Sequence, residues 1–167
     1  MEREEILDIL EKTHALTKGS FEDTDGAPTE SHIECIRLLE DPIVTNRFAV
    51  EALQKLPHGT KFDVVVTPFE RGLLFGYSVA TAAWARFVYT DEAALNHGFE
   101  IGKNDKVLIV DDVFDDPSVL CDLIDLVESK DAKVIGALSL FAVGDLSDIE
   151  ADLYPLVELE SACCAER

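Results

Sequence analysis

Apolar residues change their spacing twice along this chain. Between residues 2 and 12, Ile6, Leu7, Ile9 and Leu10 recur at helical spacing behind acids that favour a helix N-terminus. Residues 19–31, GSFEDTDGAPTES, are rich in Gly, Asp, Ser and Thr and read as a loop, and residues 32–36 alternate like a short strand. Asp41-Pro42 pairs an N-cap with a proline at the first helical position, which predicts a helix to about Leu56. The period then shortens. Residues 62–67, FDVVVT, form a continuous apolar run that stops at Pro68, the pattern of a strand buried on both faces. Residues 71–85 are small and apolar and predict a buried helix, with Phe75, Tyr77 and Trp84 in the core. Further strands are expected at 87–89, 106–113, 133–141 and 153–159, and a helix at 118–129.

Strands that alternate with helices predict an α/β fold, a mainly parallel twisted sheet with helices on both faces. Ligands in such folds sit outside the carboxyl ends of the strands, so the segments after Val66, Tyr89 and Val113 are expected to face one crevice. At 167 residues, with no repeat or linker, the chain reads as a single domain, residues 1–167.

Charge narrows the partners. There are 34 acidic and 14 basic residues, a net charge of −20. Such a surface repels phosphate backbones and anionic lipid, so neither nucleic acid nor membrane is an expected partner. Two readings of the acidity stay open, a solubilising surface and a face for a basic protein partner. Mean hydropathy is +0.09, and no apolar run reaches the roughly 20 residues that span a bilayer. The start, MEREE, is too acidic for a secretory leader, which points to the cytoplasm. No CxxC pair occurs, so no zinc site is expected. Cys35 and Cys121 read as buried thiols, and Cys163-Cys164 as part of a poorly ordered tail.

The chemistry concentrates at residues 107–120, VLIVDDVFDDPSVL, where an apolar strand meets Asp111 and Asp112 and Pro117 opens a helix. This stretch resembles the phosphoribosyl-diphosphate (PRPP) loop of type I phosphoribosyltransferases. Three further segments, in order, resemble orotate phosphoribosyltransferases: residues 13–42, THALTKGSFEDTDGAPTESHIECIRLLEDP; residues 62–76, FDVVVTPFERGLLFG; and residues 98–113, GFEIGKNDKVLIVDDV. The helix at 118–130 and the strand KVIGALSLF follow in register, so the resemblance spans about residues 5–160. It implies an N-terminal hood of about residues 1–40 on a core of about 41–160, a homodimer, and Mg²⁺-dependent transfer from PRPP to orotate. It assigns Asp111, Asp112, Asp115, Asp116 and Ser118 to a PRPP or nucleotide ligand, and Thr67, Pro68, Phe69, Glu70, Arg71 and Gly72 to the pyrophosphate loop. Asp111 and Asp112 are its candidate metal ligands.

The sequence departs from that pattern in four places. Phe114-Asp115-Asp116-Pro117-Ser118 replaces a Gly/Thr/Ser-rich phosphate turn, bringing two carboxylates and a proline without an N–H. Residues 90–98, TDEAALNHG, replace a basic catalytic loop, leaving His97 as its candidate contact. Glu70 stands beside Arg71, and Thr24-Asp25-Gly26 with His32 replaces a hood motif that carries a base-contacting lysine. Each residue also has a plainer reading. Asp116 caps the helix ahead of Pro117, Arg71 makes a surface ion pair with an acid such as Glu70, and His97 is an exposed loop histidine. Three functions therefore remain: a phosphoribosyltransferase-like protein with weakened or lost transfer and a ligand-sensing role, an active but divergent transferase, and an acidic interaction module.

Overall fold

The computed structural model describes residues 1–23, 26–69, 71–91, 94, 95 and 98–165. Five parallel strands make the central sheet: β3 (Val64–Pro68), β4 (Arg86–Asp91), β6 (Lys106–Phe114), β7 (Lys133–Val143) and β8 (Leu153–Leu159). A two-residue strand, β5 (Ala94–Leu95), adds antiparallel at one edge, giving the order β5-β4-β3-β6-β7-β8. The five parallel strands are those the apolar runs predicted, because a strand covered on both faces has no polar side to interrupt it.

Helices cover both faces. α3 (Pro42–Leu53) and α4 (Leu73–Ala83) pack together on one side, and α5 (Pro117–Glu128) lies on the other. Asp41 caps α3 by accepting from the amides of Ile43 and Val44 at 2.9 and 3.2 Å, with Pro42 at the first turn as predicted. The first core joins Phe48, Phe75, Leu108, Leu138 and Leu140, and the second joins Val66, Ile109, Leu123 and Val127.

The region read as a loop is a hairpin. β1 (Leu16–Glu22) pairs antiparallel with β2 (Pro28–Ile33), and β9 (Cys163–Cys164) adds to β2 in parallel. Only three of the thirteen β1 and β2 side chains are buried, so the strands lack an apolar alternation to announce them. α1 (Arg3–Lys12) and the single turn α2 (Ile36–Leu39) complete this part. Cys163-Cys164 is therefore not a loose tail, since it pairs with His32 and Ile33. Cys35 is buried as expected, but Cys121 is exposed on α5. On α4, Phe75 is in the core, whereas Tyr77 is 63% exposed and Trp84, the residue that caps its end, 97%. That helix is apolar all round, so its pattern does not say which side faces out.

Candidate functional site

The sheet order reverses between β3 and β6. From β3 the chain runs out through α4 to β4, and from β6 it runs through α5, on the opposite face, to β7. The turns that follow β3 and β6 separate there and leave a crevice at the carboxyl ends of the strands. The described residues of both stretches singled out in the sequence, 67–69, 71 and 72 after β3 and 111–118 after β6, border the crevice.

In the first turn, Thr67 and Pro68 end β3 and are buried. Phe69 donates its amide to the Thr90 carbonyl at 2.7 Å and stacks on Tyr89 with ring centroids 5.4 Å apart. Gly72 caps α4 with φ +61°, and a Cβ there would lie 2.8 Å from the Asp111 Cα. The backbone of the β3 turn thus rests against the end of β6. Glu70 and His97 lie outside the described residues, as do Thr24 and Asp25.

In the second turn, Asp111 and Asp112 are 3% and 6% exposed. Asp111 accepts the Asp112 amide at 2.7 Å. Arg71 reaches across from the β3 turn. Its Nη2 donates to the Val113 carbonyl at 2.9 Å and to the Asp115 carboxylate, and its Nε lies 3.5 Å from Asp111 Oδ2. Burial opposes the guanidinium's charge, but Asp111, Asp115 and Asp112 together outweigh it and hold its pKa above the ordinary arginine value. The cation expected to meet an anionic ligand is therefore engaged by the acids of the neighbouring turn, with partners 40 to 44 positions away in sequence.

Asp116 follows its plainer reading. It caps α5, accepting from the Ser118 amide at 2.8 Å and the Ser118 hydroxyl at 2.7 Å. The hydroxyl bond and then the amide bond hold its carboxyl below the usual 3.8. Because the folded value is the lower one, the cap stabilises the fold above about pH 4 and is lost as pH falls through the folded value. Asp116→Ala is expected to cost about 1 kcal/mol at pH 7, as caps do. Urea unfolding of both proteins checks this, and the difference is expected to shrink progressively as the pH falls below the ordinary carboxylate value.

Among the described residues, the buried side-chain polar atoms without a hydrogen-bond partner include Thr67 Oγ1, Arg71 Nε and Ser139 Oγ. Thr67 ends β3, Arg71 follows it, and Ser139 on β7 is in register with Asp111. An unmade buried hydrogen bond costs about 1–3 kcal/mol, so such groups mark places where a ligand or water completes the structure. Thr67 was singled out in the sequence, whereas Ser139 was not, because it lies inside a strand and read there as an ordinary strand residue.

Magnesium fits this donor set. Mg²⁺ commonly takes one or two protein carboxylates and completes its shell with water and substrate phosphates. Asp111 and Asp112 supply that much, and no cluster of three or more metal-binding side chains occurs among the described residues. No described helix is long and apolar enough to cross a membrane.

No protein-family model matches the chain. The orotate phosphoribosyltransferase of Caldanaerobacter subterraneus is 31% identical over 140 residues, covering 81% of this chain and 73% of that protein. The orotate phosphoribosyltransferase of Erythrobacter litoralis is 31% identical over 169 residues, covering 95% of this chain and 86% of the relative. The crystal structure of orotate phosphoribosyltransferase from Aeropyrum pernix superposes with a TM-score of 0.75 at 21% identity, over 93% of this chain and 94% of that one. Sequence identity across most of both chains, with the α/β fold and its crevice, places this chain in the type I phosphoribosyltransferase family, among relatives of the orotate phosphoribosyltransferases.

Proposed function

We propose that this chain is a divergent, Mg²⁺-dependent phosphoribosyltransferase that joins a heterocyclic base to PRPP and releases pyrophosphate. The observation that carries the reading is the buried Asp111-Asp112 pair at the β3/β6 reversal, with the unpartnered Ser139 hydroxyl on the strand position in register with Asp111. Relatives named for the orotate reaction support it. In this reading Asp111 and Asp112 accept hydrogen bonds from the ribose hydroxyls and would hold a Mg²⁺ ion, which would offset charge on the departing pyrophosphate. Ser118 and the α5 N-terminus face the sugar phosphate, and the turn after β3 faces the pyrophosphate. Arg71 enters that chemistry only by exchanging Asp115 for a ligand oxygen.

One observation favours a second reading, in which transfer is weakened and ligand sensing remains. Asp115 and Arg71 neutralise each other where the sugar phosphate would dock, and Pro117 has no N–H to offer it. Calorimetric titration with PRPP, with and without Mg²⁺, followed by a base-transfer assay starting with orotate, separates the two. Mg²⁺-dependent micromolar binding with turnover supports the first reading. Binding without turnover on any base supports the second. No binding at millimolar PRPP sinks both.

The same reading includes a homodimer through α3 and α4. Ile43, Val50, Leu74 and Tyr77 are exposed on these two helices and Trp84 at the end of α4, and residues 71–85 contain no Asp or Glu. In a chain with a net charge of −20, an apolar face whose α4 part carries no acid is where a second copy can approach with the least repulsion. Replacing Tyr77 and Trp84 together with Asp is expected to weaken the dimer at least about a hundredfold, from the lost apolar burial alone. Trp84 sits at φ +57°, which Asp tolerates, so the helix end is not disturbed. Sedimentation velocity reads the outcome. A wild-type monomer at about 100 μM, well above the Kd of a stable interface, rejects the dimer.

A further inference from the structure

The scarce basic residues of this chain gather at the amino ends of the parallel strands, away from the crevice. Six of the eight lysines lie there: Lys55 and Lys61 ahead of β3, Lys103 and Lys106 at the entry to β6, and Lys130 and Lys133 at the entry to β7. Arg86 opens β4 at the same end. The sheet register brings these strand starts into line, with Arg86 opposite Val64, Val64 opposite Val107, and Lys106 opposite Lys133. Arg86 is held by Asp105, and Lys103 by Asp131 at 3.2 Å. Among the described residues, Lys55, Lys61, Lys106, Lys130 and Lys133 form no ion pair. A cavity of about 790 Å³ opens at this end, between the turn that follows α3 and the end of α4. That volume is in the range of small-molecule sites. Leu53, Phe62 and Ala83 give it apolar wall, and His58 and Lys61 are its groups able to carry positive charge. Asp63 is the acid among its lining residues, and its carboxylate accepts the Lys106 amide at 2.9 Å.

We propose that this cavity is a second binding site, for a flat, nucleoside-sized molecule that carries a phosphate. In a chain with a net charge of −20, small anions are repelled from most of the surface and collect where unpaired lysines stand together. The apolar wall takes the flat body of the ligand. Lys61 meets the anion as a point charge, and a phosphate with close to two charges gains more from it than a carboxylate with one. The neighbouring unpaired lysines add a favourable field that salt weakens. The site goes beyond the transferase reading and does not depend on it. Its residues lie at the opposite end of β3 from the crevice, about 17 Å along a strand of five residues.

Uridine monophosphate and uridine differ by one phosphate. Each is titrated into the isotope-labelled wild-type protein at low salt, and the backbone amide shifts are followed by NMR. Uridine monophosphate is expected to move the amides of residues 58–62 with a Kd below about 1 mM, at least about tenfold tighter than uridine. Lys61→Glu is expected to weaken that binding at least about fivefold. Lys133→Glu, at the same end but outside the cavity, is expected to weaken it less than about twofold. Shifts confined to residues 111–118 put the nucleotide in the crevice and overturn the proposal. Equal affinity for the two probes, no shift at millimolar nucleotide, or an unchanged Kd in Lys61→Glu overturns it too. A loss in Lys133→Glu as large as in Lys61→Glu does the same, since the basic end is then a diffuse surface and not a site.

Discussion

Arg71→Met is expected to lower the melting temperature by about 5–10 °C. Removing one partner from a buried ion pair costs about 3–5 kcal/mol, because the other charge stays behind unpaired. Here Asp111 is almost fully buried while Arg71 is 23% exposed on its side chain, which brings the figure to about 2–3 kcal/mol. In a domain of this size each kcal/mol moves the melting point about 2–4 °C. The loss falls on a group with several partners, since Arg71 ties the Val113 carbonyl and Asp115 to the β3 turn and stands against Asp111. Arg71→Lys is expected to recover only part of it, because an ammonium cannot bridge a carbonyl and a carboxylate as the guanidinium fork does. Differential scanning calorimetry at pH 7 decides. A shift under 2 °C, less than about 1 kcal/mol, shows that water screens the contact and that the guanidinium is free for a ligand.

Gly72→Ala is expected to cost about 3–4 kcal/mol, from two separable sources. At φ +61° an L-residue pays about 1–2 kcal/mol for the left-handed backbone. The new methyl also meets the Asp111 Cα at 2.8 Å and its Oδ1 at 2.9 Å, and crowding of this kind costs about 1–3 kcal/mol more. Gly59 provides the control. Its φ is +84°, and no atom lies within 4 Å of a Cβ built there, so Gly59→Ala carries the backbone cost alone. Urea unfolding of the two variants separates the contributions. If both lose equal stability, the β3 turn does not rest on Asp111 as described. If Gly72→Ala is much the worse, PRPP affinity is expected to fall with it, since the contact aligns the two halves of the crevice.

The parts legible in the sequence are those whose partners lie close in the chain or whose environment is uniform. β3, β6, β7 and α5 could be read because buried parallel strands are continuous apolar runs and α5 carries its cap and proline in adjacent positions. Asp41 and Asp116 were legible for the same local reason. The hairpin β1–β2 was not, since strands wetted along most of their length differ little in composition from a loop. The outward faces of Tyr77 and Trp84 were hidden by a helix with no polar stripe. The Arg71 clamp was hidden by distance, its carboxylate partners standing 40 and 44 positions downstream. Of the candidate site, the resemblance located Asp111, Asp112 and both turns, but not the charge balance between them.

The parallel pairing of β9 with β2 sets an order of events during synthesis. His32 and Ile33 wait for Cys163 and Cys164, about 130 residues later. A ribosome adding about 5–20 residues per second needs on the order of 10 s to deliver them. Throughout that interval one edge of the small sheet stays open to any passing strand, the circumstance in which nascent chains mispair. Closure of that edge is thus a late, long-range step, and contacts of such separation form slowly. A cell that stalls translation between β8 and β9 would release a chain whose large sheet is complete and whose small one is still unsealed.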